Sequence, residues 1–475
     1  MTVSGAAVER DGRTWEESEL VADSEPGNLQ ELRVVESELN ERWPETKIEP
    51  TLDRIRALTD LLAEPQRGYP VVHVGGTNGK SSTARMVDAL LSRIGLRVGR
   101  YSSPHLQLVT ERISIDGAPI SPAGYVEAYR DIAPYVSIVD SNSEVPMSKF
   151  EVLTGMAFAA FAEAPVEAAV LEVGLGGGWD ATNVADAQVA VLCPISLDHA
   201  EYLGNDVAGI AEEKAGIIKE GSVVVLASQT PEAQEPILRR VAEVDATVAR
   251  AGHEFGVLER SVAVGGQMLR LQGLGGVYED VFLPVHGEHQ AHNAALALAS
   301  VEAFFGAGSE RQLDIEQVRD AFAEVITPGR LERVRSAPSV LVDAAHNPHG
   351  ARALADAVSS EFSFRRLIGV VGVMADKDAR GILAELEPVV EELVVTRNSA
   401  PRSMDPDDLA VLAEELFGRD RVHTEPRLDD AVASAISLAE HTTDPSESIS
   451  GAGIVITGSV VTAGEARALF GKEPT

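Results

Sequence analysis

One short segment of the chain combines residues that can bind phosphate groups. The sequence VGGTNGKSS occupies residues 74–82, between a β-branched run and an amphipathic segment. A glycine-rich turn at the start of a helix directs backbone N–H groups at phosphate oxygens. In such a turn Lys80 would bind the terminal phosphates, and the hydroxyl of Ser81 or Ser82 would face Mg²⁺. The general phosphate-loop pattern is incomplete, because Val74 stands where its first glycine is expected. The segment predicts a nucleotide site, and the alternative is a glycine-rich turn without a ligand.

Two further polar residues, Glu172 and His199, stand where a ligand would meet a parallel sheet, and a third, Lys214, lies on a predicted helix. Glu172 ends one apolar run and His199 follows another, and ligands of open α/β sheets sit at the carboxyl ends of strands. Taken alone, the two residues form either part of a metal site or ordinary hydrogen-bonded strand ends. Lys214 lies on a predicted helix beside glutamates, and its simplest interpretation is an exposed ion-pair partner.

These residues need a parallel sheet to bring them together, and the pattern of the first two thirds of the chain predicts one. β-Branched runs at residues 69–74, 96–103, 166–173, 188–195 and 222–228 alternate with amphipathic segments. Such alternation is typical of a mostly parallel sheet with helices on both faces. Residues 250–287 instead alternate with a period of two and are rich in glycine, which predicts a small antiparallel β-ribbon.

A second series of strands and helices follows the segment TPGRLERV. Apolar runs at residues 339–346, 366–373, 391–396 and 453–459 alternate with helical segments. The predicted fold is therefore α/β. Its N-terminal domain (29–329) holds a phosphate-loop ATPase-like parallel sheet with the ribbon, and its C-terminal domain (330–475) is Rossmann-like. Residues 1–28 carry seven acids and two arginines with little periodicity, so we expect a disordered acidic tail there.

Composition limits the classes of function. The 475 residues include 74 acidic and 40 basic side chains, a net charge of −34, which makes nucleic acid an unsuitable main partner. The single cysteine, Cys193, allows no internal disulfide and suits a reducing compartment. No apolar run of 18 residues and no leader pattern occur in the sequence, so we expect no membrane partner. The prediction is a soluble cytoplasmic enzyme, and a monomer is the default.

The motifs, taken in order, resemble the folylpolyglutamate synthase and dihydrofolate synthase family within the larger muramyl-ligase group. The matching blocks span most of residues 40–460. They are GTNGK (76–80), SSPHL (102–106), ERI (111–113), LEVGLGG (171–177), DATN (180–183), LDH (197–199), EKAGIIK (213–219), PGR (328–330) and DAAHNPHG (343–350). The family forms amides: ATP phosphorylates a carboxylate, and the amine of L-glutamate attacks the acyl phosphate.

The resemblance implies roles for residues on the nucleotide side. ATP would be bound by Gly76, Thr77, Asn78, Gly79, Lys80, Ser81, Ser82, Asn293, Arg330 and Asp343. Mg²⁺ would be coordinated by Ser103, Glu172 and His199, and the catalytic residues would be Lys80, Lys214 and His346. The family also implies that Lys214 is carbamylated, which would turn a cation into an anionic group near the metal. For Asn293, the local sequence leaves a helix cap as the alternative.

The resemblance also implies which residues bind the substrate, and this sequence differs from the family pattern at one nearby position. The pterin or its aminobenzoate linker would contact Ser148, Phe150, Trp179, Asp180 and Ala181, and the two aromatic rings offer stacking faces. The family usually has arginine at the position of Gly178. Its loss removes a fixed positive group near anionic substrates.

The predicted function is therefore an ATP-dependent ligase that joins L-glutamate to dihydropteroate, to reduced folates or to both. SSPHL and KFE argue against the nearest alternative, a muramyl-type ligase acting on another acid. An ATP-hydrolysing regulator without ligation is the alternative from another class. Dependence of ADP release on glutamate and folate separates it from a ligase.

Overall fold

A computed structural model of the chain describes residues 26–43, 49–198, 200–204, 206–306, 311–441 and 451–475. The first described element is helix α1, which begins at Pro26, so the last three residues of the predicted disordered tail (1–28) are helical. The rest of that tail lies outside the described residues. No helix in the described ranges is both long and apolar enough to span a bilayer.

The largest sheet has eight strands in the order β4-β3-β2-β5-β1-β6-β7-β8. All neighbours from β2 to β8 pair in parallel, and β3 and β4 form an antiparallel edge. The strands are β1 (Val71–Gly75), β2 (Val98–Tyr101), β3 (Ile113–Ile115), β4 (Ala118–Pro119), β5 (Ala168–Glu172), β6 (Val189–Leu192), β7 (Val223–Leu226) and β8 (Thr247–Arg250). The sequence pattern predicted β1, β2, β5, β6 and β7 but not the short edge strands.

Helices cover both faces of this sheet, because the central strands are apolar on both sides. They are α1 (Pro26–Glu41), α2 (Asp53–Leu61), α3 (Lys80–Ile94), α4 (Pro122–Asn142), α5 (Lys149–Glu163), α6 (Ala200–Leu203), α7 (Val207–Ala215), α8 (Pro231–Glu243), α9 (Glu288–Phe304) and α10 (Ile315–Ala323). Between α8 and α9 the predicted ribbon forms a three-stranded antiparallel sheet. Its strands are β9 (Gly256–Ala263), β10 (Gly266–Gln272) and β11 (Val277–Leu283).

The C-terminal part has its own six-stranded sheet, in the order β12-β13-β17-β14-β15-β16. Only the edge pair β12–β13 is antiparallel. The strands are β12 (Glu332–Ser336), β13 (Ser339–Val342), β14 (Arg366–Val371), β15 (Glu392–Val395), β16 (Val422–Thr424) and β17 (Ala452–Thr457), and the helices are α11 (Pro348–Glu361), α12 (Ala379–Leu386), α13 (Pro406–Phe417), α14 (Leu428–Glu440) and α15 (Val460–Leu469). The predicted α/β fold class, with a parallel-rich sheet in each part, is confirmed.

Candidate active site

The glycine loop joins the central strand β1 to helix α3, and its conformation explains its sequence. Gly79 has φ +92°, and a Cβ atom there would lie 2.7 Å from Asn293 Oδ1. A side chain is therefore excluded by both backbone strain and contact. Helix α3 begins at Lys80, two residues before the end of the predicted loop, and its 15 residues place a helix N-terminus at the turn. Lys80 Nζ folds back to the carbonyl oxygens of Gly76 and Thr77, each at 3.2 Å. The loop is shaped to receive an anion.

Glu172 reaches this loop from the carboxyl end of the neighbouring strand β5. Its Oε1 accepts a hydrogen bond of 2.7 Å from the Ser81 hydroxyl. Its Oε2 is buried and has no hydrogen-bond partner among the described residues. Burial raises the pKa of Glu172, and the nearby Lys80 ammonium opposes that shift. An unpaired buried carboxylate oxygen beside a hydroxyl is the donor set that a hard cation such as Mg²⁺ prefers.

Of the other two predicted metal ligands, Ser103 and His199, only Ser103 belongs to the described residues. Ser103 follows strand β2 and lines the same cavity as Glu172. His199 lies outside the described residues, so the predicted three-residue metal site is placed only at Ser103 and Glu172. The residues present fit the predicted Mg²⁺.

Lys214, on helix α7, is buried rather than paired at the surface. Only 4% of the residue is exposed, and it lines the cavity together with Glu172 and Lys80. Burial, together with the charge of Lys80, lowers the pKa of Lys214 to about 7. The interpretation as an exposed ion-pair partner is therefore wrong for this lysine. The direction of this shift favours the neutral form of the amine.

The C-terminal part closes the cavity from the opposite side. Arg330, Asp343 and His346 all line it. The Asp343 carboxylate accepts the backbone N–H groups of Leu331 and Ala345, both at 2.8 Å, so it fixes the two segments that carry Arg330 and His346. The cavity has a volume of about 550 Å³, within the usual range for small-molecule sites.

Four polar residues that the sequence analysis did not assign connect the two parts at the rim of the cavity. Asp198 follows strand β6 and accepts a 2.6 Å bond from Lys377 Nζ and a 2.9 Å bond from Asn347 Nδ2. Asn347 also exchanges hydrogen bonds with Asn78 of the glycine loop, which contacts His349 Nδ1 at 2.9 Å. Asp198, Asn347 and His349 fall in the motif blocks LDH and DAAHNPHG, but the sequence did not show that they pair, because Asn347 and Lys377 lie about 150 to 180 residues from Asp198.

Helix α11 makes a second connection at its C-terminal end. The Glu361 side chain is fully buried and bonds to Arg260 of β9, to His286 Nδ1 at 2.8 Å and to the Gly287 N–H at 2.7 Å. Gly287 caps helix α9, which carries Asn293. Asn293 lies within α9 and its Nδ2 bonds to Gln290 Oε1 at 3.1 Å, so it is not the helix cap considered as an alternative.

The predicted substrate-side residues are not part of the cavity lining. None of Ser148, Phe150, Trp179, Asp180 or Ala181 lines the cavity itself, whereas Gly174 and Leu175 do. Asp180 Oδ2 accepts the N–H groups of both Gly174 and Leu175, at 3.1 and 2.9 Å. The structure therefore gives Asp180 a supporting position, and its predicted contact with substrate stays a prediction.

The other members of this group occupy positions that also serve the fold. Ser148 caps helix α5 by accepting the Glu151 N–H, and Ala181 is buried. Phe150 packs on Tyr101 with ring centroids 5.9 Å apart, and Trp179 is half-buried against Gly176. Their predicted contacts with a pterin stay predictions.

Gly178, the departure noted in the sequence, lies against helix α7. Its N–H donates to the Glu213 carbonyl at 3.0 Å, and a Cβ atom on Gly178 would lie 3.2 Å from Glu213 Oε1. The first side-chain carbon of an arginine at this position would therefore lie beside the Glu213 carboxylate. In this chain that carboxylate accepts the Trp179 N–H at 3.3 Å. The local charge is therefore more negative than in a chain that has the arginine.

Comparison with protein-family models finds two matches. Residues 74–301 match the Mur ligase middle domain, and residues 329–459 match the Mur ligase, glutamate ligase domain. Together they cover the glycine loop, Glu172, Lys214 and the C-terminal wall of the cavity.

Curated relatives and solved structures agree with these matches. Dihydrofolate synthase/folylpolyglutamate synthase of Mycobacterium tuberculosis is 59% identical over 466 residues, 94% of this chain and 96% of that protein. The Bacillus subtilis protein of the same description is 32% identical over 385 residues, 81% of this chain and 87% of that protein.

Among solved structures, Mycobacterium tuberculosis folylpolyglutamate synthase complexed with ADP and AMPPCP has a TM-score of 0.90 and 57% identity, covering 94% of this chain and 100% of that one. E. coli FolC in complex with DHPP and ADP has a TM-score of 0.80 and 29% identity, covering 93% and 97%.

Proposed function

This chain belongs to the dihydrofolate synthase/folylpolyglutamate synthase family, and on that premise we propose that it joins L-glutamate to the carboxylate of dihydropteroate and of reduced folates. ATP supplies the energy through an acyl phosphate, with release of ADP and phosphate. The observation that carries the proposal is the convergence of Lys80, Glu172 and Lys214 on one cavity that both parts of the chain enclose. The predicted cytoplasmic location and monomeric state stay predictions.

The residues of the cavity supply what this reaction needs. Two anions, ATP and an acid, must meet, and their repulsion is lowered by cations and by oriented N–H groups. The glycine loop and Lys80 would bind the phosphates, with Arg330 approaching from the C-terminal part. Glu172 and Ser103 would hold Mg²⁺, which supplies charge neutralisation at the transferred phosphoryl group. His346 and Asp343 would help to position the reacting groups from the opposite wall.

Lys214 has the properties that carbamylation requires, and we include its carbamylation in the proposal. A carbamate forms when a neutral amine attacks carbon dioxide: the N–C bond forms, one C–O π bond opens, and the nitrogen releases one proton to water. The lowered pKa of Lys214 favours the neutral amine that this step needs. The product carries a negative charge, which the nearby Lys80 ammonium stabilises. A ¹³C carbamate signal from protein incubated with ¹³C-bicarbonate, absent in Lys214→Met, tests this step.

Acceptor specificity is tested by ADP release from the purified protein with Mg-ATP and L-glutamate. Turnover with both 7,8-dihydropteroate and tetrahydrofolate supports the bifunctional enzyme, and turnover with tetrahydrofolate alone restricts it to chain extension. ADP release that ignores both glutamate and folate favours the regulator. Binding of ATP without turnover on either acceptor points to another acid.

A further inference from the structure

A histidine lies in the middle of the central strand β1, among residues that are otherwise apolar. His73 is fully buried, and its partners across the two neighbouring strands are Leu171 of β5 and Ala190 of β6. A buried imidazole loses its bonds to water, so the fold must replace them or leave them unmade. The environment of His73 therefore shows what this polar group does in an apolar strand.

Only one ring nitrogen of His73 has a hydrogen-bond partner among the residues that the structure describes. Nε2 lies 2.8 Å from the hydroxyl oxygen of Thr182. Nδ1 is buried and unpaired. Burial, together with the charge of Lys219, lowers the pKa of His73 to about 3, so the ring is neutral near pH 7. An unpaired buried nitrogen costs stability that an apolar residue at this position would not cost.

The bond from His73 continues through Thr182 to Asp180. The Thr182 hydroxyl and backbone N–H both donate to Asp180 Oδ1, the N–H at 3.0 Å. A hydroxyl has a single hydrogen, so Thr182 can give it to Asp180 only if His73 Nε2 carries the hydrogen of the first bond. His73 is therefore the Nε2–H tautomer, and it is the donor at the start of this series. We call His73, Thr182 and Asp180 the His73 network.

The His73 network supports one wall of the cavity. The bonds between β1 and β5 end where the Val173 N–H donates to the Val74 carbonyl at 2.9 Å. The next two residues, Gly174 and Leu175, line the cavity and donate their N–H groups to Asp180 Oδ2. Each Asp180 oxygen thus accepts two hydrogen bonds, and the residue is buried. Asp180, rather than strand pairing, holds this wall in place.

The glycine loop follows the same strand but is held separately. The N–H groups of Thr77 and Asn78 donate to the Pro194 carbonyl at 3.0 and 3.4 Å. The Thr77 hydroxyl donates to the Ser196 carbonyl at 3.1 Å. Loss of the His73 network should therefore disturb the wall without disturbing the proposed phosphate site.

We propose that His73 is a positioning residue for the acceptor, because it orients the Asp180 carboxylate through the Thr182 hydroxyl. The inference rests on the proposed function for the identity of the acceptor. The oriented carboxylate fixes the cavity wall and also caps the 3₁₀ turn at Ala181–Val184, where a predicted acceptor contact lies. His73 itself does not line the cavity, so it acts through its neighbours.

Steady-state kinetics of His73→Leu and His73→Gln test the proposal. His73→Leu removes the donor and keeps a side chain of similar size, whereas the amide of His73→Gln can still donate to Thr182. We expect the KM for the acceptor to rise about tenfold in His73→Leu, as for one lost hydrogen bond, with the KM for ATP within about twofold. His73→Gln should recover most of the loss.

A second variant interrupts the network one step later. Thr182→Val keeps the shape of the side chain and removes the hydroxyl, so it should raise the KM for the acceptor as His73→Leu does. The double variant should lose no more than either single variant, because both break the same series of bonds. Thr59→Val is the matched control, since Thr59 on α2 is buried and its hydroxyl bonds only to the Arg56 carbonyl, at 3.0 Å. If the two losses add in full, the proposal is wrong.

Urea unfolding separates positioning from a purely structural role. We expect His73→Leu to unfold at a urea midpoint no lower than that of wild type, because the variant lacks the unpaired nitrogen. Undiminished stability with a selective rise in the KM for the acceptor supports the proposal. A fall in stability with equal changes in both KM values overturns it. If His73→Leu does not fold, Thr182→Val and His73→Gln carry the same comparison.

Amide hydrogen exchange tests the network without any substrate. The N–H groups of Gly174 and Leu175 should exchange about tenfold faster in His73→Leu and Thr182→Val, with no change in helix α3. Unchanged exchange in both variants overturns the proposal, and so does faster exchange with an unchanged KM for the acceptor. If wild type turns over neither acceptor, the proposed function fails, and the exchange rates alone decide whether His73 holds this wall.

Discussion

Replacing Lys214 with methionine should make the protein more stable and less active at once. Lys214 is buried, and burial lowers the pKa of its amine to about 7 from an ordinary value of 10.5. Methionine has a similar length and no charge, so it fills the same space without the desolvation cost. The activity should fall because the proposed carbamate cannot form.

The size of the stability gain follows from the pKa of Lys214. The unfolded chain binds a proton at Lys214 below about pH 10.5, whereas the folded protein binds it only below about pH 7. At pH 7 this difference costs folding on the order of 4 kcal/mol, at about 1.4 kcal/mol per pH unit. Because the unfolded state binds more protons between these two values, wild-type stability contributed by Lys214 rises with pH across that window. The advantage of methionine should shrink correspondingly.

Urea unfolding of the nucleotide-free protein in buffers depleted of carbon dioxide measures this effect. We expect Lys214→Met to unfold with a free energy about 2–4 kcal/mol higher at pH 7 and with a clearly smaller advantage at pH 9.5. Lys149→Met is the matched control, because the Lys149 ammonium is not buried and donates to Asn40 Oδ1 at 2.7 Å in an exposed hydrogen bond. The control should not be stabilised.

Two results would refute the reasoning. If Lys214→Met is no more stable than wild type at pH 7, Lys214 is not a poorly solvated cation. If the gain is the same at pH 7 and pH 9.5, its origin is packing rather than charge. Full turnover by Lys214→Met would separately remove the lysine from the proposed mechanism.

The remaining predictions concern three carboxylates. Glu172→Gln should raise the Mg²⁺ concentration needed for half-maximal turnover at least tenfold, because it removes the negative charge of a proposed Mg²⁺ ligand. Titration with Mg²⁺ at saturating ATP measures this concentration, and an unchanged value would contradict the assignment. Asp180→Asn should lower the free energy of unfolding by about 1–3 kcal/mol, because it disrupts the support of Gly174 and Leu175; urea unfolding measures it. Glu361→Gln should raise the KM for ATP several-fold with little change in kcat, because it weakens the hydrogen bond between Glu361 of α11 and Gly287 at the start of α9. Equal losses in kcat and kcat/KM would argue that Glu361 does not position α9 for ATP binding.

The sequence by itself determined the central strands and the fold class, because those features depend on local patterns. Runs such as residues 69–74 and 166–173 are mostly apolar and β-branched or small, which is typical of a strand buried on both faces. Short edge strands such as β4 and β16 escaped prediction, since two or three half-exposed residues carry no comparable pattern. The motif blocks are also local, and they identify the family from the sequence.

The tertiary structure alone decided the environment of each polar side chain. The sequence around Lys214 suits an exposed lysine as well as a buried one, and only the packing of α7 at the cavity wall lowers its pKa. The local sequence showed no sign that one oxygen of Asp180 accepts the N–H groups of Gly174 and Leu175. Solvation and pairing of charges depend on neighbours in space, and local sequence does not specify them.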